Sequence, residues 1–269
     1  MSLSSAKRLL ALCCLATSTC AVAQDYDCMV EARQAIEIRS PVEGLIDRVL
    51  VQRGDIVTRG QVLAVIESSV ERATLEVAKM RAAMDGEIKV AEARVQLNAK
   101  KVERARDLHQ QKFVSDSALD EAEAEFRLAS EELRRTRENQ RLAQTDATRA
   151  SAALDIRTIR SPFTGVVVEV LLRQGELAAT ATVKNPLMKL AEIDPLHVEV
   201  VLPSRLFGSI RRGQLATVQP EAPVQGSYQS VVKVVDRVVD AASGTFGVRL
   251  ELPNRQGKVP AGIRCRVRF

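Results

Sequence analysis

The chain has 269 residues, and its 46% hydrophobic and 27% charged residues are ordinary for a folded protein with a buried core. There is no Trp, and two Tyr and six Phe are few for an enzyme, since enzymes commonly line compact pockets with aromatic side chains. The net charge of +5 is spread along the chain without a Lys/Arg block beside stacking aromatics, which argues against a nucleic-acid partner.

Residues 1–23 have the composition of a secretory signal peptide. Lys7-Arg8 gives a positive start, an apolar run follows from Leu9 to Ala16, and small residues at 21–23 form a cleavage site. The apolar run is shorter than the roughly 20 residues that a membrane-spanning helix needs. The sequence therefore predicts export with a cleaved signal, and an uncleaved anchor or a lipoprotein are the alternatives.

Cleavage of that signal would leave two of the five cysteines, Cys28 and Cys265, one near each end of the mature chain. In an oxidising compartment two remaining cysteines suggest a single disulfide. Two separate, partly buried thiols are the alternative that the sequence leaves open.

A repeat brackets the middle of the chain. Its first copy, 39–46, reads RSPVEGLI, and its second copy, 160–167, reads RSPFTGVV. In both copies a second glycine, Gly54 or Gly175, follows ten residues after the first one and precedes an acidic residue. Alternating apolar residues between the glycines predict half-buried strands, and the prolines and glycines predict turns. Two such halves facing each other would form a flattened sandwich of the lipoyl kind.

The stretch between the two copies contains no Pro, and no Gly occurs between Gly86 and Gly165. It is rich in residues that favour helix. Steps of three and four residues predict two seams of a coiled coil, with nine of eleven positions apolar from Leu119 to Leu154 and six of eight from Met84 to His109.

A fold-back near 112–116 separates the two seams, and Ser115 or Asp116 can cap the second helix. The sequence therefore predicts an antiparallel hairpin of two helices, at about 70–111 and 117–157. Each helix would be roughly 60 Å long.

From residue 195 the sequence changes to short apolar runs broken by Gly and Pro, which predict a small β-barrel. The turn residues there are expected to be structural. His109 and His197 stand apart from the spacings of metal sites, and no phosphate loop or hydrolase motif is present. We therefore expect no catalytic, cofactor-binding or metal site, with His109 ending the helical seam and His197 lying on a strand surface.

A split lipoyl-like domain with a helical hairpin inserted between its halves resembles the periplasmic adaptors, or membrane fusion proteins, of the HlyD-like family. The resemblance covers roughly residues 35–269 and implies an elongated α+β fold. The sequence departs from many family members in that no clear membrane-proximal domain is expected. The predicted divisions are a signal peptide (1–23), an N-terminal lipoyl-like half (24–68), a coiled-coil α-hairpin (69–158), a C-terminal lipoyl-like half (159–194) and a β-barrel (195–269). A true lipoyl or biotin carrier is disfavoured, because the hairpin replaces the turn that would hold the acceptor Lys.

Adaptors that engage TolC-type channels are similar to one another at the hairpin tip. There an Arg is followed four residues later by a Leu, and that Leu is followed seven residues later by a Ser. Arg104, Leu108 and Ser115 fit this spacing, directly at the predicted fold-back. The candidate channel-binding residues are Arg104, Leu108, Lys112, Phe113, Val114 and Ser115. As alternatives, Ser115 acts only as a helix cap, and Phe113 and Val114 close the end of the coiled coil.

The resemblance implies a periplasmic, non-enzymatic adaptor of a tripartite efflux or secretion system in a Gram-negative bacterium, with no cofactor. It would link an inner-membrane transporter to a TolC-family outer-membrane channel and form a homo-oligomer, a hexamer by family analogy. A signal without an anchor favours a resistance–nodulation–division (RND) transporter. The alternatives are an adaptor of an ABC-type exporter and an envelope-spanning scaffold that has the same fold but no pump.

Overall fold

A computed structural model of the chain describes residues 24–178 and 186–269. The predicted signal peptide lies outside the described residues. The described residues divide into two compact units, one formed by Gln34–Glu192 and the other by residues 24–33 together with Ile193–Phe269.

Twelve strands and three helices make up the described residues, with one short 3-10 turn at Ser204–Leu206. In chain order they are β1 (Tyr26–Ile38), β2 (Gly44–Val49), β3 (Ile56–Val57), β4 (Val62–Ile66), α1 (Ser69–Ala83), α2 (Gly86–Gln110), α3 (Asp116–Asp155), β5 (Thr158–Arg160), β6 (Gly165–Val170), β7 (Leu177–Ala178), β8 (Met188–Pro203), β9 (Leu215–Pro220), β10 (Tyr228–Val235), β11 (Thr245–Leu252) and β12 (Ile263–Arg268).

The unit that contains the C-terminal residues is a β-barrel, as predicted. Its antiparallel strands follow the order β1-β12-β9-β10-β11-β8, and an additional pairing of β1 with β8 closes the ring. Alternate residues of these strands point inward and form an apolar core that includes Val198, Leu250 and Val267. The buried side chain of Asn254 bonds to the backbone of Ile193 and Val259, so it stabilises a turn, as expected.

The first barrel strand was not predicted, because residues 24–33 were assigned to the lipoyl-like half. In the structure Tyr26–Val30 pair with β12, and Cys28 lies directly opposite Cys265. The two sulfur atoms are 2.06 Å apart and the Cα atoms 4.8 Å apart, so a disulfide joins the two strands. Only three residues of this segment point inward. So short an alternation does not identify a strand from the sequence alone.

The other unit contains the lipoyl-like sandwich. One sheet has the order β5-β4-β2-β7, and β3 and β6 pair beside the first residues of β8. The core between them is aliphatic and includes Ile46, Leu63, Val167 and Leu190. Both copies of the repeat supply strands to this core, which is the arrangement that their matching sequences predict.

The two copies are equivalent in their hydrogen bonds. The hydroxyl of Ser40 donates to the carbonyl of Val42, and the hydroxyl of Ser161 donates to the carbonyl of Phe163. Both serines are buried, with 7% and 2% of their surface exposed. The hydroxyls thus satisfy the carbonyls of the two Pro-containing turns inside the core.

The second glycine of each copy requires a left-handed backbone. Gly54 has φ +94° and Gly175 has φ +84°, a region that residues with a Cβ rarely adopt. The acidic residue after each glycine accepts a hydrogen bond from a backbone N–H three residues earlier, at 2.7 Å for Asp55 and 2.9 Å for Glu176. These are the turns that the glycine spacing predicts.

The region between the copies is an antiparallel helical hairpin, with both α1 and α2 packed against α3. Three ion pairs between α2 and α3 define this direction, because the residue number rises along α2 as it falls along α3. They are Glu92–Arg137 at 2.8 Å, Lys101–Glu125 at 2.8 Å and Arg106–Glu123 at 2.6 Å. All eleven predicted seam positions of α3 are at least partly buried.

The first arm of the hairpin was predicted as one continuous helix, and this is wrong. The helix is interrupted at Met84 and Asp85, where Met84 has the extended angles φ −68° and ψ 114°. The seam changes phase here, because a regular step from Ala82 would lead to Lys89, which is exposed, whereas the partly buried side chain is Ile88. The interruption turns the apolar face of α2 onto α3, and Gln140 of α3 donates a 3.3 Å hydrogen bond to the carbonyl of Met84.

The base of the hairpin is held by Arg157, which follows α3. Its guanidinium bonds to the carboxylate of Glu71 at 2.5 Å and to the carbonyl of Glu67 at 2.8 Å. Its own carbonyl accepts the N–H of Ile66 at 2.9 Å. The entrance to the hairpin and its exit are therefore joined at one residue.

Replacing both Cys28 and Cys265 with Ser should lower the free energy of unfolding by roughly 2–5 kcal/mol, because the disulfide closes a loop with a sequence separation of 237. Denaturant titration with and without a reducing agent measures this loss. The reducing agent should destabilise the wild type and leave the double variant unchanged. Equal stability of the wild type in both conditions would contradict the prediction.

Gly165→Ala should destabilise the protein by about 1–3 kcal/mol, because the added Cβ would lie 2.3 Å from the carbonyl oxygen of Ala191, which belongs to the paired backbone. Gly86→Ala is the matched control, since nothing lies within 4 Å of its Cβ and it starts a helix. Thermal unfolding compares the two. A loss for Gly86→Ala as large as for Gly165→Ala would show that the close approach is not the cause.

Candidate functional site: the hairpin tip

The end of α2 and the start of α3 form a compact tip in which the backbone turns through residues 111–115. The N–H of Phe113 donates to the carbonyl of Leu108 at 2.9 Å, and the N–H of Lys112 donates to the carbonyl of His109 at 2.8 Å. These two bonds define a Schellman motif. Lys112 occupies its left-handed position with φ +63°, where glycine is the usual residue, and thus carries a conformational cost of roughly 1–2 kcal/mol.

The Schellman motif determines which side chains reach the surface of the tip. The hydrogen bond from the N–H of Phe113 to the carbonyl of Leu108 brings these two residues next to each other. Phe113 is 74% exposed and Leu108 is 42% exposed. Val114 is partly buried. Val114 therefore helps to close the end of the hairpin, whereas Phe113 does not.

Ser115 is the N-cap of α3. Its φ of −77° and ψ of 162° are non-helical, and its hydroxyl oxygen accepts a hydrogen bond from the N–H of Ala118. That bond is 3.4 Å long. The geometry gives Ser115 the capping role that the sequence left open, and Asp116 follows in the first turn, where the helix dipole favours an acidic group.

One contact at the tip was missed by sequence analysis. His109, in the last turn of α2, lies 2.6 Å through Nε2 from Oδ1 of Asp116 in the first turn of α3. The two residues are seven positions apart and belong to different helices, so no helical spacing connects them. The contact fastens the two helices together across the turn.

Two basic side chains accompany the exposed apolar pair. Arg104 lies one helical turn before Leu108 on the same face of α2, and its Nε donates to the carbonyl of Lys100 at 3.3 Å. Within residues 24–178 and 186–269, neither Arg104 nor Lys112 has a carboxylate within ion-pair distance. The tip thus offers an apolar knob with two cationic groups beside it.

The described residues lack the features of a metal site and of a membrane-spanning helix. Among the residues that the structure describes, no group of three His, Cys, Asp or Glu side chains can hold a metal ion. No described helix is long and apolar enough to cross a bilayer. His197 lies half-buried on β8, where burial first and the nearby Arg249 second lower its pKa below the usual value.

Comparison with protein families assigns both units. Residues 34–184, more than half of the chain, match the model of the CzcB-like barrel-sandwich hybrid domain. The chain belongs to the membrane fusion protein family. Residues 195–269 match the model of the CusB-like beta-barrel domain, in agreement with the barrel described above. The resemblance on which the sequence analysis relied is therefore confirmed.

Individual relatives are distant and longer than this membrane fusion protein. The macrolide export protein MacA of Escherichia coli O157:H7 is 24% identical over 243 residues, which are 88% of this chain and 65% of the relative. The cation efflux system protein CzcB of Alcaligenes sp. (strain CT14) is 26% identical over 213 residues, 79% of this chain and 38% of the relative. The chain thus spans less than two thirds of the length of these relatives.

A solved structure has the same fold. The crystal structure of MacA from Actinobacillus actinomycetemcomitans superimposes with a TM-score of 0.73 at 19% identity, covering 91% of this chain and 76% of that one. The family and the fold are thereby established.

Ser115→Ala should expose the first turn of α3 to local opening, at a cost of about 1 kcal/mol, because the cap bond to Ala118 is lost. Ser115→Asp should keep this protection, since Asp caps helices as well as Ser does. Hydrogen exchange of the amides at 117–119 measures the difference. Equal protection in wild type and Ser115→Ala would show that the hydroxyl is not needed as a cap.

Proposed function

We propose that this membrane fusion protein is a non-enzymatic adaptor of a tripartite efflux or secretion system in the envelope of a Gram-negative bacterium. It would link an inner-membrane transporter to a TolC-family outer-membrane channel. Membership in the family and the likeness to MacA support an adaptor role. We propose an RND transporter as the partner, with an ABC-type exporter as the alternative.

The observation that carries this proposal is the exposed tip of the hairpin. Exposure of 74% for Phe113 and 42% for Leu108 is costly in water, because both apolar side chains lie together at the end of a long element. A partner that covers them recovers that cost. The six positions predicted to bind the channel lie in the last turn of α2, the turn after it and the cap of α3, with Arg104 one helical turn away.

The chemistry of the tip fits a surface made of helices. Leu108 and Phe113 can enter an apolar groove between two helices of the channel, and Arg104 can donate several hydrogen bonds to carboxylates or carbonyls beside that groove. Lys112 adds a second cation. Ser115 contributes indirectly, because its cap bond orients the start of α3.

Assembly of several copies, six by family analogy, is part of the proposal. Four apolar side chains along the outer faces of α2 and α3 are more than half exposed: Val90, Leu97, Leu128 and Leu142. Opposite residues Leu45 and Leu177 on the β2–β7 edge are 52% and 53% exposed. Neighbouring copies that bury these residues would stabilise a hairpin whose own seam consists largely of small alanine side chains.

The proposal predicts that photo-crosslinkers at Leu108 and Phe113 form adducts with the outer-membrane channel in intact cells. Arg104→Asp should reduce these adducts at least tenfold, because a carboxylate replaces the donor group that accompanies the apolar pair. The adducts are measured by immunoblotting in a strain that expresses the channel and the transporter. Sensitivity to exported compounds in the same strain should rise in parallel.

Met80→Ser is the matched control, because Met80 is 61% exposed on α1 but lies away from the tip. It should leave the adducts unchanged. Adducts with other envelope proteins only, or equal adducts in wild type and Arg104→Asp, would refute the channel-binding role and favour an envelope scaffold without a pump.

A further inference from the structure

One end of the β-barrel carries two loops that emerge side by side. β8 ends where β11 begins, since Pro203 and Thr245 are register partners. β9 begins near the end of β10, since Leu215 lies opposite Val231, four residues before the last residue of β10. The loops 204–214 and 236–244 therefore leave the barrel at the same end. The first residue of one loop donates a 2.8 Å backbone hydrogen bond to the last residue of the other. We call the exposed residues of these two loops the barrel-end surface.

The barrel-end surface presents apolar side chains to solvent. Phe207, Val238 and Val239 are 50%, 81% and 36% exposed. In the same loop as Phe207, Ile210 is only 9% exposed and belongs to the barrel core. The ring of Phe207 also stands edge-on to the ring of Phe246, with centroids 5.4 Å apart. The loop is thus anchored to the barrel. The exposure of its other apolar surface does not result from a lack of packing against the core.

Basic side chains surround these apolar residues. Four exposed arginines belong to the same loops: Arg205, Arg211, Arg212 and Arg237. None of the four has a carboxylate within ion-pair distance in the described part of the chain. The carboxylates nearby are occupied, since Asp240 accepts two backbone N–H groups of its own turn, Asp236 interacts with Arg249, and Asp25 pairs with Arg268 at 2.9 Å.

We infer that the barrel-end surface binds anionic lipid headgroups at a membrane surface. Apolar side chains on protruding loops can enter the boundary between headgroups and acyl chains, while unpaired arginines around them bind lipid phosphates. The barrel-end surface has its exposed apolar residues on two loops with unpaired arginines in the same loops, which complements a charged and deformable surface.

This inference rests on the proposed function for one point only, which is that the barrel works near the inner membrane. The adaptor would then hold the membrane directly as well as the transporter. Its test needs neither the transporter nor the channel.

The test measures co-sedimentation of the full chain, purified after export, with vesicles of phosphatidylglycerol and phosphatidylethanolamine. Phosphatidylcholine vesicles are the neutral reference. Binding to the anionic vesicles should be strong in 50 mM salt and weak in 500 mM salt, because salt at about 0.5 M screens charges beyond a few ångströms. Neutral vesicles should bind the protein weakly at both salt concentrations.

Two double variants separate the charges from the apolar residues. Arg211→Gln with Arg212→Gln should lower the partition coefficient about 25-fold, since each arginine near an anionic surface contributes roughly fivefold. Phe207→Ser with Val238→Ser should lower it about tenfold. The matched control is Met80→Ser with Arg94→Gln, which removes the same kinds of exposed side chain from the hairpin and should bind as the wild type does. Unchanged thermal unfolding verifies that each variant is folded.

Absent binding to anionic vesicles, equal binding by all variants, or equal binding to neutral and anionic vesicles would overturn the inference. Capture of an acidic membrane protein in detergent that needs Arg211 and Arg212, without vesicle binding, would replace the lipid with a protein partner. Lost vesicle binding with intact crosslinks from the hairpin tip refutes this inference alone. Lost crosslinks with intact vesicle binding refute the proposed function alone.

Discussion

The guanidinium of Arg157 is the point on which the larger unit depends. The chain leaves the sandwich at Glu67 and returns to it at Arg157, whose guanidinium bonds to Glu67 and Glu71 where the hairpin begins. The side chains of Arg157 and Glu71 are only 20% and 21% exposed, so their charge-assisted bond is stronger than one in open solvent. The first glycine of the repeat leaves room for it, since a Cβ on Gly44 would lie 2.9 Å from the guanidinium. Sandwich and hairpin therefore share one fastening.

Much of the fold follows from local regularities of the sequence. The repeat predicts both halves of the sandwich because its glycines have physical requirements that residues with a Cβ rarely meet: left-handed angles at Gly54 and Gly175, and close backbone approach at Gly165. The heptad pattern predicts the seam of α3 for a similar reason, since burial every three or four residues is a property of the helix alone.

The features that escaped prediction depend on contacts between distant residues. The interruption at Met84 becomes visible only when α2 is placed against α3, because it corrects a mismatch of one residue between the two seams. The turn at Lys112 adopts a conformation that favours glycine, and its sequence contains none. At the candidate site the separation of the two seams near 112–116 was sufficient to locate the tip. The contact of His109 with Asp116, which closes it, required the structure.

The fastening at the base has a further consequence for the reach of the hairpin. Between the interruption and the tip, α2 and α3 contact only each other among the elements that pack closely. Seven residues added to each helix in this interval would preserve the seam and advance the tip by about 10 Å, at 1.5 Å per residue. The bonds of Arg157, the sandwich and the turn at the tip would be unchanged. Length is thus an adjustable dimension of this architecture, which can change without redesigning either end.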